Sequence, residues 1–308
     1  VHLTPGRLRT VISAALAVVA WFAAGITPAW AAPVPSAQID FGGMMRTYRL
    51  HLPAGGGAPS GLVVNLHAAG ATGAEQAALT HYDAVADAHG FAVVYPDGID
   101  FSWADGRGAS VPDRQRVDDV GFIATLVDRL VAENGIPRGR VYATGLSAGG
   151  FMANRLACDR ADLFAAIAPV AGTLGTNVGC NPSQPVSVLA TYGTADPIVP
   201  FNGGPMTGRG GGSTVLSAPA LVDRWRQVNG CPAPSDEALP GTGDGTETHR
   251  IASDGCAAGT SVVFMRVEGG GHTWPGVPEI LPVQAVGSAS RAFDASDASG
   301  QFFDSHGR

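Results

Sequence analysis

Ser147 lies in Gly145-Leu146-Ser147-Ala148-Gly149, a G-x-S-x-G pattern whose chemistry is attack of an activated hydroxyl on a carbonyl carbon. Glycines on either side suit a strained turn, where a Cβ would collide with neighbouring backbone. In a chain with 43 glycines such a pattern could be a mere glycine-rich turn. The flanks argue otherwise: Val141-Tyr142-Ala143-Thr144 reads as a short buried strand, and from Ala148 to Cys158 the residues Phe151, Met152, Arg155 and Leu156 recur at helical spacing. A serine hydroxyl is a weak nucleophile, so this turn needs a base within hydrogen-bond reach and an acid to orient that base.

Both partners are present, each after a strand-like run. Asp196 follows residues 186–192 in Gly193-Thr194-Ala195-Asp196-Pro197, and His272 follows residues 261–267 in Gly269-Gly270-Gly271-His272-Thr273-Trp274-Pro275-Gly276. Three histidines lie beyond Asp196; His249 falls within a strand pattern and His306 at the far end, which leaves His272 as the base. Asp-Pro is also a common turn signal, and Asp223, inside a helical pattern, is a weaker competitor for the acid. An oxyanion hole would take the backbone N–H of Ala148 and a second N–H from the loop after strand 62–66, His67-Ala68-Ala69-Gly70, where Ala69 stands in the donor position. Alanine occupies 68 where glycine is usual, so the choice of second donor is open.

Other residues could do chemistry but are weaker candidates. Asp118 and Asp119 could be read as paired acids, yet neighbours on a helix point in different directions, and capping a helix N-terminus suits them better. Trp103 and Trp274 could stack on an aromatic ring or a sugar, or serve as packing anchors. Gly203 to Gly212 holds six glycines without a G-K-[ST] sequence, which excludes a phosphate-binding loop and suggests a mobile rim near the acid.

Strand-like runs at 48–52, 62–66, 91–95, 141–144, 165–170, 186–192 and 261–267 alternate with helical segments. The expected fold class is α/β, a mostly parallel central sheet with helices on both faces. Val120, Ile123, Val127 and Leu130 line one face of a helix, and Gly90 and Gly135 fall where C-terminal caps belong. Residues 231–259, rich in Pro, Gly, Asp and Thr, read as an irregular excursion.

Taken together, the His67 loop, Tyr95-Pro96-Asp97-Gly98, Trp103-Ala104-Asp105-Gly106, Val117-Asp118-Asp119-Val120-Gly121-Phe122, the Ser147 turn, Gly193-Thr194-Ala195-Asp196 and Gly271-His272-Thr273-Trp274-Pro275-Gly276 carry a resemblance. From about Tyr48 to Phe303 the chain is similar to the polyhydroxybutyrate depolymerase and feruloyl esterase family of secreted α/β-hydrolases, related to family-one carbohydrate esterases. The resemblance implies ester hydrolysis through an acyl-enzyme, with Ser147, Asp196 and His272 as the triad. Its members act on feruloylated or acetylated plant polysaccharide or on hydroxyalkanoate esters, so it narrows the chemistry more than the substrate. Acyl transfer to an envelope sugar, and non-catalytic polysaccharide binding through the tryptophans, are the rival readings.

The first 31 residues carry Arg7 and Arg9, an apolar stretch from Val11 to Ala24 and Ala29-Trp30-Ala31, the pattern of a secretory signal peptide preceding one catalytic domain over residues 32–308. Ala32 to Ala37 reads as a disordered lead-in. The expected location is extracellular, with no stable membrane association after cleavage. Four cysteines in an exported chain suggest two disulfides, and of three possible pairings Cys158 with Cys180 and Cys231 with Cys256 close the shortest loops. No C-x-x-C or H-E-x-x-H occurs, so neither a metal nor another cofactor is expected. A formal charge of −7, more negative once Arg7 and Arg9 are removed, argues against nucleic acid as a partner and leaves an ester of plant polysaccharide or polyester.

Overall fold

The computed structural model describes residues 36–278 and 281–308, which fall in one compact unit. The expected signal peptide, residues 1–31, lies outside the described residues. In chain order the elements are β1 (Ala37–Phe41), β2 (Met44–His51), β3 (Gly61–Leu66), α1 (Gly73–Thr80), α2 (Tyr82–His89), β4 (Phe91–Pro96), α3 (Val111–Gln115), α4 (Asp119–Asn134), β5 (Val141–Leu146) and α5 (Ala148–Asp159). They continue with β6 (Ala166–Val170), β7 (Ser187–Gly193), β8 (Gly204–Gly208), β9 (Gly211–Val215), α6 (Ala218–Val228), β10 (Ser235–Ala238), β11 (Glu247–Ser253), β12 (Val262–Glu268), α7 (Val283–Val286) and α8 (Ala295–Ser305). Ala37, expected in the lead-in, instead opens an edge strand.

Ten strands form one sheet in the order β1-β2-β4-β3-β5-β6-β7-β12-β11-β10. The run from β4 to β12 is parallel, and an antiparallel pair closes each side. Both faces of the parallel strands are covered, which is why they read as near-continuous apolar runs. Alternate residues serve opposite faces: Leu62, Val64 and Leu66 of β3 pack with Ile123 and Val127 of α4 and Met152 and Leu156 of α5. Val63 packs on the other side, with Tyr82 and Val85 of α2 and Phe302 and Phe303 of α8.

Helix ends follow local chemistry. Gly90 and Gly135 take left-handed conformations at the C-caps of α2 and α4. The Asp118 side chain accepts from Gly121 N–H as N-cap of α4, whereas Asp119 has a larger role than capping. Its wholly buried carboxylate receives Arg46 Nη2 from β2 at 2.7 Å and the Ala104 N–H at 2.7 Å, tying the sheet edge to the loop beyond β4.

Two disulfides pair Cys158 with Cys180 and Cys231 with Cys256, across separations of 22 and 25 residues. Loops of that size remove about 3 kcal/mol each from the unfolded ensemble by chain entropy. Residues 231–259, expected to be irregular, instead supply β10 and β11, which extend the sheet by antiparallel pairing. The glycine-rich segment at 203–212 is likewise not a loop, because β8 and β9 form a two-stranded hairpin. Glycine offers no side-chain alternation, so the sequence carries no period-two signal there.

Candidate active site

β5 enters α5 through Ser147, whose φ of 55° and ψ of −116° are unusual for a residue with a side chain. The turn is held by Ser147 N–H donating to Val170 O at 2.9 Å and by close backbone packing. A Cβ at Gly149 would lie 2.0 Å from Leu66 O, and one at Gly145 2.5 Å from the same oxygen. Only glycine allows the end of β3 and the start of α5 to approach this closely. Ala148 opens α5, so its N–H has no acceptor within the helix.

The loops after β7 and β12 bring the other two residues together. Thr194 N–H donates to Val267 O and Ala195 N–H to Gly270 O, each at 2.9 Å. This crossing places Asp196 Oδ2 2.7 Å from His272 Nδ1. Asp196 Oδ1 accepts from the N–H groups of Ile198 and Val199 at 2.7 and 2.8 Å, so the carboxylate is locked with one oxygen on backbone and the other on imidazole. Both side chains are buried. Asp223 is elsewhere, on α6, with its carboxylate turned to Arg226 at 3.0 Å.

Ser147 and His272 line one cavity of about 590 Å³, together with Ala69, Ala148 and Trp274. The hairpin supplies another wall through Met206 and Arg209. Arg209 Nη1 donates to Asp100 O at 2.6 Å, latching the hairpin tip to the turn at 99–101. Arg107 also faces the cavity, but its guanidinium is held by Asp105 through Nε at 2.9 Å and Nη2 at 2.7 Å and lies 3.6 Å over the Phe151 ring. With that cation neutralised, the cavity wall is predominantly apolar.

The two tryptophans separate. Trp274 lines the cavity, packs with Leu146 and Val170, and donates its indole N–H to Ser296 Oγ at 3.0 Å; at 2% exposure only a small part of its surface borders the cavity. Trp103, expected to touch substrate, has no exposed surface and does not line the cavity. Its Nε1–H donates to His67 O at 2.9 Å and its ring packs 4.7 Å from the His67 ring. That expectation is corrected: Trp103 is a buried support for the loop that carries Ala69.

His67, also without exposed surface, completes the support. Its Nδ1–H donates to Ala68 O at 2.8 Å, and Nε2 accepts the Gly98 N–H at 2.9 Å. Protonating Nε2 would expel that donor, and burial itself holds the imidazole below its ordinary pKa. Because the folded pKa is lowered, the associated stability is complete above about pH 6.5 and is lost as pH falls from there toward the folded value, where the unfolded chain binds a proton the folded one refuses. Between pH 7.5 and 5.5 the wild type is therefore expected to lose more unfolding free energy than His67→Gln in denaturant titrations. Parallel slopes for the two proteins would contradict this account.

Comparison with known proteins gives a consistent set of likenesses. The family described as esterase PHB depolymerase matches residues 46–199. The putative esterase NocK of Nocardia uniformis subsp. tsuyamanensis is 33% identical over 297 residues, covering 90% of this chain and 86% of that protein. Feruloyl esterase B of Piromyces equi is 31% identical over 50% of this chain and 29% of its own length, and feruloyl esterase D of Neurospora crassa is 32% identical over 58% and 52%. The chain thus spans about half or less of those two proteins. Among solved structures, the acetyl xylan esterase from Aspergillus awamori superposes with a TM-score of 0.56 at 20% identity, covering 87% of this chain and 98% of that one, a likeness of fold.

Proposed function

The chain belongs to the PHB depolymerase esterase family and is a carboxylic-ester hydrolase; on that premise we propose that Ser147, His272 and Asp196 carry the reaction as nucleophile, base and orienting acid. The observation that supports this most is the lock between Asp196 and His272 Nδ1 at 2.7 Å, beside a serine held at φ 55° in the same cavity. With Nδ1–H donated to the carboxylate, the lone pair at Nε2 is free to take the serine proton.

Ser147 Oγ attacks the ester carbonyl as His272 Nε2 receives the hydroxyl proton. The C–O bond to the alcohol then breaks, and His272 returns the proton to the leaving oxygen. Water repeats the sequence on the acyl-enzyme, releasing the acid and restoring Ser147. The N–H groups of Ala148 and Ala69 stabilise the oxyanion in both halves, each such donor contributing about 3 kcal/mol. His67 and Trp103 hold the Ala69 loop, and Asp196 stabilises the imidazolium while it exists.

A cavity of about 590 Å³ with an apolar wall fits an acyl group much larger than acetyl. This favours feruloyl-like or hydroxyalkanoate esters, the first named in the relatives and the second in the family description. Two disulfides suit an oxidising, extracellular setting. A fluorophosphonate probe is expected to label Ser147, mapped by peptide mass spectrometry, and the labelled protein to lose hydrolysis of methyl ferulate and of hydroxybutyrate oligomers. Labelling at another residue, or full hydrolysis after complete labelling of Ser147, would overturn the assignment.

A further inference from the structure

We propose that Gln76 is a specificity-determining residue: its side-chain oxygen accepts a hydrogen bond from a hydroxyl group on the bound acyl moiety, so hydroxylated acyl esters are turned over in preference to their deoxy counterparts. The inference rests on the hydrolytic reading of Ser147. It deepens that reading by giving the acyl site a polar requirement.

Gln76 lies on α1 one helical turn before Leu79, and both line the cavity that holds Ser147 and Trp274. It is only 1% exposed, so what remains of its surface opens inward. Behind it sits a buried polar relay with Asn65 of β3 and Thr80 at the end of α1. The proton order in that relay follows from one fixed point: the Thr80 hydroxyl meets the backbone carbonyl of Gln76 at 2.8 Å, and a carbonyl can only accept. Thr80 Oγ1 has then spent its proton and must accept from Asn65 Nδ2, at 3.1 Å. That turns Asn65 Oδ1 toward Gln76, where it accepts from Nε2 at 2.9 Å.

The amide of Gln76 is thereby oriented with nitrogen toward the relay and oxygen away from it. Rotating the amide would set two acceptors against each other, and rotating Asn65 as well would place its oxygen against a hydroxyl with no proton left to give. Among the described residues nothing donates to Gln76 Oε1, and it is not one of the side-chain atoms sealed from solvent without a partner. It is an open acceptor at the cavity wall. Two other polar side chains of that wall are engaged: Ser110 donates to Trp103 O and accepts from Asp113 N–H, and Arg107 is held by Asp105.

An acyl group entering the cavity displaces the water that can serve this oxygen. A hydroxyl on the acyl group replaces that water, whereas a deoxy analogue leaves the acceptor desolvated and unpaired. Sites that hydrogen-bond a substrate hydroxyl discriminate strongly against analogues lacking it for this reason. The relay also makes the preference directional, since a rigid oxygen selects a donor and disfavours an acyl group that presents only acceptors.

The test uses the full chain and two matched ester pairs of short and long reach: p-nitrophenyl 3-hydroxybutyrate with p-nitrophenyl butyrate, and methyl 4-hydroxycinnamate with methyl cinnamate. Rates are corrected for each ester's alkaline hydrolysis. In at least one pair the wild type is expected to favour the hydroxylated member by roughly ten- to a hundredfold in kcat/KM. Gln76→Met, checked for folding by thermal unfolding because Asn65 Oδ1 loses its donor, should collapse that ratio by tenfold or more, with the larger loss on the hydroxylated member. A wild-type ratio near one in both pairs, or an equal loss on both members in a folded Gln76→Met, would overturn the proposal. Failure of the wild type to hydrolyse any of these esters or to react with a fluorophosphonate would instead overturn the hydrolytic reading, so the two failures are distinct.

Discussion

Ser147→Ala is expected to lower kcat on ester substrates by roughly 10⁵- to 10⁶-fold, with little change in KM or in unfolding temperature. The size follows from the division of labour in the cavity. On the proposed mechanism, without Oγ His272 has no proton to take and no acyl-enzyme can form, leaving only the oxyanion donors and the binding surface to act on water. The stability side follows from the local structure: Ser147 occupies the N-cap position of α5 without a side-chain capping bond, so its hydroxyl can be removed without orphaning a helix N–H. Alanine is no easier to hold at φ 55° than serine, so the strain persists in the variant. Ser147→Gly separates the two contributions. It should be as inactive as the alanine variant yet unfold at a higher temperature, because glycine adopts this conformation at little cost. Stopped-flow or pH-stat rates together with thermal unfolding would check both, and a Ser147→Ala enzyme within a hundredfold of wild type would remove Ser147 from the chemistry.

Asp196→Asn is expected to lower kcat by on the order of 10⁴-fold while leaving the fold intact. The carboxylate makes two different commitments, and asparagine can honour only one arrangement of them. Oδ1 accepts two backbone N–H groups, from Ile198 and Val199, so the amide oxygen must stay there; placing NH₂ at that point would set donor against donor twice. The amide nitrogen then faces His272 Nδ1, where the carboxylate oxygen now lies at 2.7 Å. Nδ1 becomes an acceptor, the ring proton moves to Nε2, and the atom that should take the serine proton already carries one. Nitrogen NMR of the His272 ring should report the change of tautomer directly, alongside an unfolding temperature near that of the wild type. Asp223→Asn, altering a carboxylate on α6 that turns to Arg226, is the matched control and should leave kcat unchanged. Activity of Asp196→Asn within tenfold of wild type would show that this carboxylate does not set the tautomer.

Much of this was legible from local pattern. The G-x-S-x-G run between a strand and a helix marked residues 141–158 because the backbone there must turn sharply and only glycine tolerates the contacts, as Gly145 and Gly149 against Leu66 O show. The parallel strands announced themselves as short apolar runs because both of their faces are covered. Where a segment's structure depends on a partner instead of on its own residues, the signal faded. Four of the ten residues of β8 and β9 are glycine, and β10 is exposed throughout; each is a strand only because a neighbour supplies its hydrogen bonds.

The amino-acid sequence alone determined the chemical class of this protein, since a serine turn, a carboxylate and a histidine, each following a strand, are properties of short segments. Tertiary structure decided which side chains the cavity would use. Trp103 and Trp274 are alike as sequence features, yet one is sealed behind the His67 loop and the other lines the cavity. Gln76 carried no mark at all, because the direction of its amide depends on Asn65, 11 residues earlier on another element. Spacing along the chain fixes what a short segment can become, whereas burial and proton direction are set by contacts between segments that meet only when the sheet and its helices pack.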